Sequence, residues 1–205
     1  MRTALTRIPR AFRRARWPIV SVAITYVCSV AIGIALIHAG NDFAVSQRDA
    51  VLAAAHTSRI QQANEQSDAL RAALLDFAGN ATAGSLPKAI SGFSIILAYP
   101  QVAYQGWIGG IVSLSRDGVS RFADIRSTIY YLVTLAFQLT GFSIVVGAGV
   151  NGGLALLRPP PEYQGNKWLG LFPVEPLKDF AWLYAAALPF FLIGSLWEFL
   201  SPWNL

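Results

Sequence analysis

Four stretches without a single Asp, Glu, Lys or Arg dominate this chain: Trp17 to Asn41, Ala89 to Ser115, Ser127 to Leu157 and Phe180 to Trp197. Each can supply the roughly 20 apolar residues that a helix needs to cross a bilayer. In hydrocarbon the backbone amides must be satisfied within the segment, so such stretches are helices. Composition agrees. The 205 residues are 54% hydrophobic and only 13% charged, against about a quarter charged in soluble domains. The expected fold is therefore all-α: a polytopic membrane helix bundle of about four transmembrane helices plus an amphipathic extramembrane helix.

Charge placement predicts the sidedness. Arg2, Arg7, Arg10, Arg13, Arg14 and Arg16 form a basic tail over residues 1–16, ahead of the first span at 17–41. The first apolar run is longer than the roughly 7 to 15 residues of a signal-peptide core, so it reads as a retained helix. The short loop 116–126 carries Arg116, Arg121 and Arg126. Grouping that loop with the tail satisfies the positive-inside rule. Both termini are then cytoplasmic in a bacterial inner membrane. The second span is 89–115, the third 127–157, and the fourth 180–200 before a short tail at 201–205. Segment 42–88 and the proline-rich loop 158–179 fall outside. Arg10, Arg13, Arg14 and Arg16 are candidates for anionic lipid headgroups. Nucleic-acid binding is not expected, because few aromatic residues interleave with these arginines.

Within 42–88, Ile60, Ala63, Ser67, Leu70, Leu74 and Phe77 recur in steps of three and four, which predicts one helical seam. Ile60, Ala63, Leu70, Leu74 and Phe77 are the candidate partner contacts. Alternatively, the seam lies on the protein's own bundle or in the headgroup plane. Gly106 with Gly110, and Gly149 with Gly153, repeat a small residue at i and i+4. That spacing lets helix backbones approach closely in lipid, within the chain or between copies.

Intramembrane polar residues are few: Gln101, Gln105, Gln138, Asn151 and Glu198. Such groups usually face the bundle interior or water. The amides suit interhelical hydrogen bonds. Glu198 reaches the interface, pairs with an arginine such as Arg121, or binds a partner. No catalytic residue, metal ligand set or cofactor is expected. The chain has two histidines, His38 and His56, without a carboxylate partner at ligand spacing, and one cysteine, Cys28, inside an apolar run. Nor does any relay of ionisable groups lie within the uncharged stretches.

Two segments give residues 100–202 a family likeness. One is Phe137-Gln-Leu-Thr-Gly-Phe-Ser-Ile-Val-Val-Gly-Ala-Gly-Val-Asn-Gly152. The other is Lys178-Asp179 followed by Leu188-Pro-Phe-Phe-Leu-Ile-Gly-Ser-Leu-Trp-Glu198-Phe-Leu-Ser-Pro202. Together they resemble the stage II sporulation protein M family, polytopic bacterial membrane proteins with a glycine-rich helix and a closing apolar helix that carries a glutamate. Gln138 stands nearest the position where many members have a glutamate, and the proline-rich loop departs from the family pattern. The resemblance implies a scaffold that gathers other proteins at a membrane.

The resulting expectation is a non-enzymatic membrane scaffold or anchor subunit. Its partners are membrane lipids and other membrane or extracytoplasmic proteins, a second copy of the chain among them. The alternative is a transport or channel subunit whose pathway is lined by the Gln and Asn side chains.

Overall fold

The structure is a computed structural model that describes residues 2–203 except Gln164, Asn166 and Leu171. Eight α-helices carry the fold, and the only strands among the described residues are the two-residue β1 (Lys167–Trp168) and β2 (Phe172–Pro173). Among the described residues three helices are long and apolar enough to cross a membrane, within α1 (Arg2–His38), α7 (Ile125–Leu157) and α8 (Val174–Leu200). Their outward faces stay apolar: Ile24, Ile32, Leu132, Leu154 and Ile193 are all exposed. A soluble bundle would turn polar residues outward on such faces. Here they suit a hydrocarbon solvent.

Helix α1 includes the stretch expected as a separate tail, so residues 2–16 continue the first span as helix. Pro9 and Pro18 lie inside it. Each removes one amide from the ladder without ending the helix. Helix α8 begins at Val174, six residues ahead of the charge-free stretch.

The stretch 89–115 is not one spanning helix. It divides into the end of α5 (Leu86–Ser91), a 3-10 turn at Gly92–Ser94 and α6 (Ala98–Ile111). Ile95 between them has φ +62°, the left-handed region, which ends a helix. Pro100 falls in the first turn of α6, where the backbone amides have no intrahelical acceptor and its missing N–H costs nothing.

Nor is the 60–77 seam one helix. The segment folds as α2 (Asp42–His56), α3 (Arg59–Glu65) and α4 (Ala69–Gly79), interrupted at Ser67 with φ +61°. Asn41, Ser58 and Asp68 each cap the following helix by accepting a backbone N–H. These caps are why a single heptad seam does not form. Helix α4 continues through a π turn at Asn80–Gly84 into α5.

Neighbouring contacts set the directions. Gly106 lies against Tyr26, and Gly110 against Val30 and Gly33, so α1 and α6 run parallel. Gly194 meets Phe137 while Gly141 meets Phe191, so α7 and α8 are antiparallel. Asp76 of α4 touches Ser195, whereas Ala89 and Gly92 of the next segment touch Gly149. Segment 69–94 thus runs down α8 and α7, reverses at Ile95 and returns as α6. It is a re-entrant helical hairpin.

This hairpin decides which loops share an end of the bundle. Because it returns to the end it left, the loop 116–126 does not join the basic tail. The loop sits beside α2, where Arg48 donates to the Ser115 carbonyl at 3.1 Å. Loop 158–173, expected opposite the tail, instead lies beside it, with Arg14 5.1 Å from the Tyr163 ring centre. The bundle therefore has an Arg14 end, with the start of α1, Tyr163 and the start of α8, and a Glu198 end, with α2, α3, loop 112–124 and the end of α8.

Candidate functional site

Glycine packing creates the bundle's middle layer. An added Cβ at Gly106 would lie 2.5 Å from the Tyr26 carbonyl oxygen, and at Gly110 2.3 Å from that of Val30. At Gly149 it would lie 2.0 Å from the Ala89 oxygen, and at Gly153 2.5 Å from that of Phe93. All four glycines thus sit at backbone crossings within the chain. Phe142 and Phe191 meet edge-on beside them, with ring centres 5.2 Å apart. Both rings are buried. The Lys88 ammonium lies 5.0 Å from the Phe142 ring centre.

At the Arg14 end, four elements converge on Asp179, the last charged residue before the apolar run of α8. Arg14 donates from Nε and Nη2 to its two carboxylate oxygens, at 2.7 and 2.5 Å. The Tyr163 hydroxyl donates to Asp179 Oδ2 at 2.9 Å, and Asn151 Nδ2 donates to the Tyr163 oxygen at 2.9 Å. Burial first, offset by the Asn151 hydrogen bond and reinforced by the Asp179 charge, pushes the Tyr163 phenol up to about 12. The phenol therefore stays a proton donor. The fork-shaped guanidinium and bidentate carboxylate give the cluster directional hold. Beside it, Arg13, Arg16, Trp17 and Glu162 border a cleft of about 400 Å³. Arg10 is exposed on the same helix.

At the Glu198 end a second constellation lines a cavity of about 210 Å³ between α6, α7 and α8, roofed by Leu52 of α2. Arg121, Gln138 and Glu198 reach it together with Tyr130 and Tyr131. The Tyr130 hydroxyl donates to the Glu198 carbonyl, and the Tyr131 hydroxyl to the Gly109 carbonyl, each at 2.8 Å. Arg121 and Glu198 share the cavity without joining. Among the described residues the ion pairs are Arg14–Asp179, Arg48–Asp49 and Lys178–Glu175. Gln138 and Glu198 also border a smaller space with Asp76. The Asp76 carboxylate is satisfied by Ser195 Oγ at 2.7 Å and Asn80 Nδ2 at 2.9 Å.

The five intramembrane polar residues therefore do not form one line. Gln138 and Glu198 meet at one end, and Asn151 is engaged at the other. Gln101 accepts from Ser91 Oγ at 3.3 Å beside the turn of the hairpin, and Gln105 is half-buried on α6.

Of the candidate partner contacts, Ala63 is buried, Ile60 half-buried, and Phe77 packs against the core. Leu70 and Leu74 are 54% and 49% exposed, one turn apart on α4. The buried face of α4 is Ala72 and Ala73, with Asp76 in line with them. Among the described residues no group of three or more His, Cys, Asp or Glu is arranged to hold a metal ion. His38 lies 3.3 Å from Ser113 Oγ, and Cys28 is exposed.

Residue patterns missed Asp179, Tyr163 and Asp76. Asp179 carried a signal, since it abuts a charge-free run and has an arginine at the matching edge of α1. Tyr163 carried none, because it lies in an irregular loop. Comparison with models of protein families, with curated proteins and with solved structures finds no match.

Proposed function

We propose that this chain is a non-enzymatic integral membrane protein of the bacterial inner membrane that scaffolds or anchors a larger complex. One observation carries the reading. Leu70 and Leu74 form an exposed apolar pair on α4, next to the α2–α3 layer at the Glu198 end. Apolar surface of this kind, rimmed by polar Arg71 and Gln66, marks a protein contact when it is not lipid-facing. The likeness of residues 100–202 to the stage II sporulation protein M family supports the same reading. A conduit gains less support, because Asn151 is engaged by Tyr163 and Gln101 by Ser91, so these amides do not face one shared path.

The orientation that fits this reading places the Arg14 end in the cytoplasm and the carboxy terminus outside. The Arg14 end carries nine Lys and Arg, the six arginines of residues 2–16 with Arg158, Lys167 and Lys178. The Glu198 end carries six, Arg48, Arg59, Arg71, Arg116, Arg121 and Arg126. That is the asymmetry of the positive-inside rule.

The test is cross-linking from native membranes through a photoreactive residue at Leu74. The expected result is a defined protein adduct that Leu70→Glu abolishes, with thermal stability in detergent unchanged because both side chains are exposed. A chain that yields only lipid adducts from position 74 contradicts the scaffold.

A further inference from the structure

We propose that the cavity between Arg121 and Glu198 is a binding site for a compact zwitterion, one carrying an ammonium group and a carboxylate or phosphate on a small apolar body, with an α-amino acid as the simplest example. Two formal charges of opposite sign face one cavity, and neither joins an ion pair among the described residues. Charges in a low-dielectric bundle are strongly disfavoured unless paired.

The walls of the cavity they share are held in place. Tyr130 and Tyr131 line the cavity, and both hydroxyls are anchored to main-chain carbonyls at 2.8 Å. Their rings are braced in turn, Tyr130 against Trp197 at 6.3 Å and Tyr131 edge-on to Phe122 at 5.5 Å. The backbone of Arg121 is held as well, since its N–H donates to the Ser113 carbonyl at 2.7 Å. The neighbouring Ser115 carbonyl is clasped by buried Arg48. The cavity is therefore a preformed space with the Arg121 guanidinium on one side and the Glu198 carboxyl on the other, and the Asp76 carboxylate borders the adjoining space behind Glu198.

Size and lining define the rest of the ligand. At about 210 Å³ the cavity is smaller than the roughly 300 to 1,000 Å³ of pockets for drug-sized molecules. Leu52, Val112 and Leu135 supply an apolar wall, while Thr134 and Gln138 add neutral hydrogen-bonding groups. A guanidinium fork suits a carboxylate or phosphate, and a carboxylate beside tyrosine rings suits an ammonium. A single-charged molecule would leave one of the two residues without a counter-ion.

The site is tested on the full chain in nanodiscs of phosphatidylcholine, by thermal shift and isothermal titration. The probes are the individual L-amino acids, with butylamine and butyrate as single-charge controls. Saturable stabilisation by at least one amino acid and by neither control is expected. Arg121→Gln and Glu198→Gln should each weaken that binding by about tenfold or more. Should a charge variant fail to fold, Leu135→Trp fills the cavity from its apolar side and must remove the response by itself. A second arm exchanges phosphatidylcholine for phosphatidylethanolamine, whose headgroup bears the same ammonium and anion. Stabilisation by that lipid alone, lost in both charge variants, sustains the site with a membrane source for its ligand. Absence of any saturable response to amino acids or to that lipid, or an equal response in the variants, overturns the proposal.

Discussion

Asp179 shows how much one residue can hold in a bundle that lacks a hydrophobic driving force between its helices. Its carboxylate is 4% exposed and accepts from Arg14 on α1 and from Tyr163 in the 158–173 loop, while Tyr163 in turn accepts from Asn151 on α7. Asp179→Ala would leave a partly buried guanidinium and a buried phenol without their acceptor. Removing one partner of such a pair costs about 3 to 5 kcal/mol. The expected outcome is a large fall in the midpoint of thermal unfolding in detergent. Asp179→Asn should lose less, because the amide oxygen still accepts a hydrogen bond. If Asp179→Ala unfolds like the parent chain, the cluster is not what joins these elements. Intramembrane Asn151 was legible from its setting in an apolar run, since a buried amide needs a partner. The identity of that partner was not legible, because Tyr163 is brought to it by a loop without periodicity.

The re-entrant hairpin is the element that most changes the picture. Its descending arm is α4, the π turn and α5, and its returning arm is α6. It is held at glycine crossings where nothing larger fits, and the contacts there are to backbone, which cannot swing aside. Gly149→Ala places a methyl group 2.0 Å from the Ala89 carbonyl oxygen, so the hairpin must shift away from α7. Overpacking of this kind costs about 1 to 3 kcal/mol or more. Gly79→Ala is the matched control: it lies on α4 with ordinary helical φ and nothing within 4 Å of the added carbon. It should stabilise by about 0.4 to 1 kcal/mol through the unfolded chain. Thermal unfolding of both variants checks the pair, and equal effects would remove the crossing as the cause. The glycine spacing was visible in the sequence. The break at Ile95 was not, because a charge-free run of 27 residues satisfies every length criterion for a spanning helix while Pro100 is equally compatible with a kink.

For the described residues as a whole, three long apolar helices and a hairpin that returns to the end it left put the start of α1 and the end of α8 at opposite ends of the bundle. Accessibility of engineered cysteines in a Cys28→Ser background reports this directly. Ser46→Cys and Gly118→Cys should react with an impermeant reagent from the same side, and Gly165→Cys only from the other. Reaction of positions 46 and 118 from opposite sides would reinstate a fourth crossing. The sequence by itself determined the solvent: uncharged runs of spanning length and a low charged fraction require helices that satisfy their own backbone and face hydrocarbon. It also determined where backbones come close, since Gly106, Gly110, Gly149 and Gly153 are the residues that permit it. Only the tertiary structure decided which runs are single helices, which loops share an end, and which charges meet. Those outcomes depend on contacts between residues far apart in the chain, such as Arg14 with Asp179 and Arg48 with Ser115, and local periodicity carries no record of them.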